Sequence, residues 1–336
     1  LIQGRRVKSR EEFDQYGYYI PHYAGFTPLC ESLKGTKITE LNLSQCGLDA
    51  SATSSLAEAI KFMAALNEVN VAFNQIGSEG GIALRDALKT SNLKFIAIGK
   101  MYTSAGGTVI TGSQLTTGVT LSAGGRLGEL AGPDSAFDVK LKWTDTGETS
   151  SWMKLHSLDG EPLKLPLQSP FEGEHLDLAH QQLDPGYVLL LSWWLGTEFS
   201  AAVARLILNE NPLTGGRRDS DFDTDITGIT ALCDTLKTSS VTELGLAKCR
   251  LGPGSVGKLA EYVRDAEAAP VEVVILDGNP IGYPSSVRVK PGAATGIDLK
   301  KGVFAALDGR FGEVTGTWGG GKEAKLKWLD SGTESE

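Results

Sequence analysis

Ile38-Thr-Glu-Leu41-Asn-Leu43-Ser-Gln-Cys46-Gly-Leu48 carries the spacing L-x-x-L-x-L-x-x-N/C-x-L in full. The spacing has a mechanical meaning. Leu41 and Leu43 alternate along a short strand and point into a core, while the residues between them point out. Cys46 falls where the chain turns away and a side chain can bond freed backbone groups. Such a unit cannot bury its apolar face alone, so neighbours must stack on it.

Neighbours are present on both sides. A helix is expected over Phe26 to Leu33, and Leu56, Ala59, Ile60 and Met63 recur at helical spacing after the first unit. Leu66 to Ile76 repeats the pattern, followed by Ile82, Leu84 and Leu88. A third unit begins at Leu93-Lys-Phe-Ile96-Ala-Ile98 and decays at Met101 and Thr103, as capping units do. Leu41 and Val69 are 28 residues apart, and Val69 and Ile96 are 27 apart. Further along, His175 to Leu183 is a partial unit, while Val203 to Leu213, Val241 to Leu251 and Val271 to Ile281 match in full.

One strand and one helix per unit at this period resembles the ribonuclease-inhibitor-like class of leucine-rich repeats. The resemblance implies an α/β solenoid in two blocks that binds proteins and has no defined chemistry. In such a fold the strand residues between core positions form the binding face. In the first block these are Glu40, Asn42, Ser44, Glu68, Asn70, Ala72, Phe73 and Phe95. In the second they are Asp177, Arg205, Ile207, Asn209, Glu243, Val273, Ile275 and Asp277. The mixture of aromatic, apolar and acidic side chains suits a protein partner or neighbouring copies in an assembly.

Between the blocks the composition changes. Thr108 to Gly125 is Gly/Ser/Thr-rich with alternating apolar residues. Gly125-Arg126-Leu-Gly128-Glu comes next, then Val139, Leu141 and Trp143 alternating with Lys140 and Lys142. A strand over Ser151 to Leu155 is expected to pair back across the Asp145-Thr-Gly147 turn. About forty residues here resemble a small SH3-like barrel of the Tudor or KOW kind. That resemblance implies a recognition module for a modified peptide or nucleic acid, with Trp143 and Trp328 as candidate cage walls. Their strand parity, shared with Leu141 and Leu326, favours core packing instead.

The expected boundaries are 1–107 for the first repeat block and 108–160 for the first β module. A Pro-rich linker at 161–173, the second block at 174–286 and a second, incomplete β module at 287–336 complete the chain. The two halves are copies. Gly25-Phe-Thr-Pro-Leu-Cys30 matches Gly228-Ile-Thr-Ala-Leu-Cys233, and Cys46 matches Cys249 at the same offset of 203. Lys140-Leu-Lys-Trp143 matches Lys325-Leu-Lys-Trp328. Leu1 falls inside one unit and Glu336 inside another, so the sequence reads as a slice of a longer tandem array, or as one whose missing strands another chain supplies.

Composition limits the partners. The net charge of −9 opposes general nucleic-acid binding. The apolar run Tyr187 to Leu195 is too short to span a bilayer. The four cysteines lack zinc spacing and read as buried, reduced thiols, which points to an intracellular compartment. No cofactor motif stands out. Gly316-Thr-Trp-Gly-Gly-Gly321-Lys322 has a phosphate-loop spacing, but Glu323 and a strand stand where a helix is required, so a hairpin turn is expected. Asp219, Asp221, Asp223 and Asp225 lack the glycine and glutamate of a calcium loop and read as a solvated acidic insertion. His175, Asp177 and His180 could in principle hold a metal or move a proton, with no nucleophile placed beside them. The chain is expected not to be an enzyme.

Overall fold

The structure, a computed structural model, describes residues 25–133, 138–216, 221–265 and 270–281, plus the backbone of strands at 304–307, 310–318 and 323–328. The repeat units appear as predicted. Helix α1 (Phe26–Leu33) leads to β1 (Glu40–Asn42), α2 (Ala50–Ile60), β2 (Glu68–Asn70), α3 (Gly77–Leu88) and β3 (Phe95–Thr103). Strands β1, β2 and β3 are parallel, with Leu41 opposite Val69 and Val69 opposite Ile96.

After β3 the strand–helix alternation stops, where the repeat pattern decays at Met101 and Thr103. β3 runs on for nine residues, pairs with β4 (Val109–Ile110), and gives way to an antiparallel sheet. That sheet is β5 (Thr120–Ala123), β6 (Arg126–Pro133), β7 (Asp138–Trp143) and β8 (Met153–Lys154), in that order. The chain then returns as β9 (Gly160–Pro166), antiparallel to β3. Much of the expected Pro-rich linker is therefore a strand of the first sheet. Pro162 and Pro166 are tolerated because β9 lies at the sheet's edge, where missing N–H donors break no ladder.

The second set comprises β10 (His175–Asp177), α4 (Pro185–Leu195), β11 (Arg205–Ile207), α5 (Thr227–Leu236), β12 (Glu243–Gly245), α6 (Pro253–Asp265) and β13 (Val273–Ile275). Its strands are parallel, aligning Leu176, Leu206, Leu244 and Val274. The two blocks are not separate bodies. A single apolar core runs from Cys30 to Tyr262, and the six helices pack in sequence, α3 directly against α4. This contact needs glycine. A Cβ on Gly81 would lie 2.3 Å from the Gly186 carbonyl oxygen, and one on Gly186 would lie 2.1 Å from that of Gly77. Helix α4 is apolar on nearly every side because neighbours cover it on nearly every side, with only Trp193 among its residues half-exposed.

The second antiparallel sheet, β14 (Phe304–Leu307), β15 (Arg310–Trp318) and β16 (Glu323–Trp328), copies the pairing of β5–β7. Gly128 faces Trp143 as Gly312 faces Trp328, and both ladders shift register two residues further on. Gly316 to Trp318 and Glu323 are strand, and the turn between them lies outside the described residues, as do residues 1–24 and the side chain of Trp328.

Candidate functional site: the strand face of the repeats

Each repeat turn is built alike. The residue before the N/C position takes a left-handed backbone, with φ of 58° at Gln45 and Phe73, 60° at His180, 61° at Glu210 and 52° at Lys248. Only the last described repeat uses glycine there, Gly278 at φ 70°. The next side chain then turns inward and satisfies backbone groups that the strand has released. Asn211 accepts from the N–H groups of Gln181 (2.9 Å) and Leu183 (3.1 Å) and donates to the Leu178 and Leu208 carbonyls at 2.8 Å. Asn74 and Asn279 do the same one repeat back, and the Cys249 thiol donates to Leu208 O at 3.1 Å. An amide that offers both donors and acceptors fits this position because the orphans are of both kinds.

Gln181 breaks the N/C pattern for a reason. Its longer side chain reaches across to β3, accepting from Lys100 N–H at 2.6 Å and donating to Lys100 O at 3.1 Å. It thereby fastens the second block to the first. Tyr187 adds a second tie, receiving the Asn74 N–H at 3.1 Å and donating to Val71 O at 2.5 Å.

The predicted face residues fall into two groups. In the first block, Asn70, Ala72 and Phe73 are buried, and Glu68 and Phe95 lie beneath Lys164 of β9. Lys164 Nζ sits 2.6 Å from Glu68 and 5.9 Å from the Phe95 ring. The short turn Leu155–Ser157 closes the far side. The rings of Phe73 and His156 are 5.7 Å apart, and Lys100 Nζ donates to the carbonyls of His156 and Leu158 at 2.8 Å. Burial, then the charges of Lys100 and Lys154, hold the His156 pKa below its ordinary value. Of the predicted positions there, Glu40 and Asn42 remain well exposed, with Ser44 half-buried.

Asp177 corrects an expectation. It is buried, accepting from the Ser113 N–H at 3.0 Å and from the Ser113 hydroxyl, and from Ala179 N–H at 3.0 Å. It anchors the entry to the β5–β8 sheet. Asn42 and Asn70 likewise accept from backbone two residues on, and Asn209 from Ala247 at 2.8 Å, so these polar positions shape the strand ends. Beyond Asp177 no described segment covers the second face. Arg205, Val273 and Asp277 are exposed and Ile207, Asn209, Glu243 and Ile275 are half-buried, with Arg205 Nε 2.6 Å from Glu243.

Two further expectations change. The acidic insertion is not merely solvated. Asp223 accepts from Gly252 (2.9 Å) and Gly254 (2.7 Å) at the start of α6, and Asp225 from Ser78 (2.5 Å) and Thr227 (2.9 Å). Carboxylates suit these helix N-termini because the N–H groups there are unpaired. Among the described residues no group of three His, Cys, Asp or Glu side chains could hold a metal ion. Cys46 is exposed, while Cys30, Cys233 and Cys249 are buried, and all four are free. Trp143 is half-buried against the core of the β5–β8 sheet, and the Arg126 guanidinium lies 4.3 Å from its ring centre. That face of Trp143 is already occupied by a cation.

Residues 65–84, spanning β2 and most of α3, match the leucine-rich repeat family model. This stretch is a leucine-rich repeat. Repeats of this family generally act in protein interaction without catalysis. A search among curated proteins finds no match to the chain. Among the described residues no helix is long and apolar enough to cross a membrane.

Proposed function

We propose that this chain is a non-catalytic interaction segment of a larger tandem-repeat scaffold. In this reading the repeats form one ribonuclease-inhibitor-like solenoid, with SH3-like modules inserted once per duplicated unit. It receives a protein partner on the strand face of β11–β13. The observation that carries the reading is the contrast in exposure among the described residues: the first face is covered from Asn70 onward by the chain's own β9 and β module, and no described segment covers Arg205, Ile207, Val273, Ile275 and Asp277 on the second. Half-buried isoleucines beside an ion pair are the composition of a small interface core with a polar rim.

The test is affinity purification from the native source with quantitative mass spectrometry. Ile207→Glu with Val273→Glu is expected to lose the partners that the parent chain retains, while Glu40→Lys on the first face keeps them. Circular dichroism checks that the variants fold. Retention by the double variant, or loss with Glu40→Lys, contradicts the reading.

A further inference from the structure

The β5–β8 sheet has a second face that the repeats do not cover. Val139 and Leu141 point into its core, so Lys140 and Lys142 point out. The pairing of Val139 with Met153 sets Trp152 across from Lys140, and the Lys140 ammonium lies 4.3 Å from the Trp152 ring centre. Trp152 is 48% exposed. Lys142 makes no ion pair with any described residue, whereas Lys154 nearby is paired with Asp138 at 2.9 Å. In a chain of net charge −9, this face offers two ammonium groups that form no ion pair with a described residue, beside an exposed indole.

We propose that this face is a docking site for an acidic linear peptide, independent of the strand face of the repeats. Lys140 and Lys142 are two residues apart on one strand, about 6.6–7 Å. Carboxylates two residues apart on an extended peptide have the same spacing and project to the same side. An apolar side chain two residues further on then meets the indole, which Lys140 already holds in place from one side. Nucleic acid fits less well. Glu129, cross-strand from Lys142, and Asp138 place carboxylates in the same face, where a continuous phosphate backbone would meet them. The second copy keeps the pair in sequence, as Lys325 and Lys327.

The probe is a fluorescein-labelled peptide, Gly-Ser-Glu-Ser-Glu-Ser-Leu-Gly-Ser, titrated with the full chain and followed by anisotropy. Saturable binding is expected, weakened by salt and lost when both Glu become Gln. Lys140→Glu with Lys142→Glu and, separately, Trp152→Ala are each expected to weaken it by about tenfold or more. Lys142→Gln, which leaves the indole and its cation in place, is expected to weaken it by roughly threefold and covers the case in which the other variants misfold. Absence of saturable binding, or binding indifferent to these changes in a chain folded by circular dichroism, overturns the proposal. So does a labelled nine-nucleotide single-stranded DNA that binds more tightly than the peptide through the same residues.

Discussion

The two strand faces of this molecule are built on the same repeat and end differently. Across β1–β3 the face is closed from Asn70 onward, because the chain lays Lys164 over Glu68 and Phe95 and sets His156 against Phe73. Across β11–β13 no described segment does this, and Val273 stands 47% exposed where Glu68, its counterpart in register, is paired. The difference does not come from the strands. It comes from the chain after β3, where an antiparallel sheet and a returning strand take the place of a helix. An insertion after one repeat thus closes part of the strand surface that the repeats build.

The strongest way to break this arrangement is to part the blocks at the helix row. Gly186→Ala places a methyl 2.1 Å from the Gly77 carbonyl oxygen. It should cost about 3 kcal/mol, read as a lower midpoint in urea unfolding. Gly257→Ala, in the interior of α6 with nothing within 4 Å, is the comparison and should instead stabilise by about 0.5–1 kcal/mol.

Loss of one inward amide comes next. Asn211→Ala strands two backbone N–H groups and two carbonyls in the interior and should cost about 2 kcal/mol. Gln181→Asn sharpens the comparison between blocks. It shortens the amide that crosses to β3, so hydrogen exchange should quicken at Lys100 while β11–β13 stay protected.

A smaller effect separates the faces by pH. His156 is held neutral at the closed face, its pKa below the ordinary value of 6.5, while an unfolded His takes up a proton at that value. The unfolded chain therefore binds more protons as pH falls, and the stability this residue contributes is present above pH 6.5 and lost as pH drops through the lower folded value. Corrected for the pH dependence of the intrinsic exchange rate, protection at residues 155–158 should fall on acidification, and His156→Phe should abolish that fall. The smallest expected effect is at the repeat turns. Lys248→Gly relieves a left-handed backbone and should add about 0.5–1 kcal/mol, read by thermal unfolding.

The repeats are legible in the sequence because their period is local. Leucines two apart on a strand, a polar residue at the turn and a helical stripe all lie within one unit. β9 is not legible, because prolines at 162 and 166 read as linker until an edge position excuses them. The burial of Asp177 is hidden for a related reason: a polar residue at an outward strand position reads as surface, and its partner Ser113 is 64 residues away. Asp223 and Asp225 cap helix starts that their own spacing does not announce. A signal is present at α4, whose all-round apolarity marks a helix with neighbours on every side. The departure at Gln181 is another, since a longer amide at an Asn position implies a longer span.

Hydroxyl-radical footprinting of the full chain, alone and with its partner from the native source, tests the central claim most directly. Phe73 should resist oxidation in both samples, while Val273 and Ile275 should oxidise readily in the free chain and become protected in the complex. Phe73 oxidising as fast as Val273 in the free chain, or protection confined to the helices, would contradict the account.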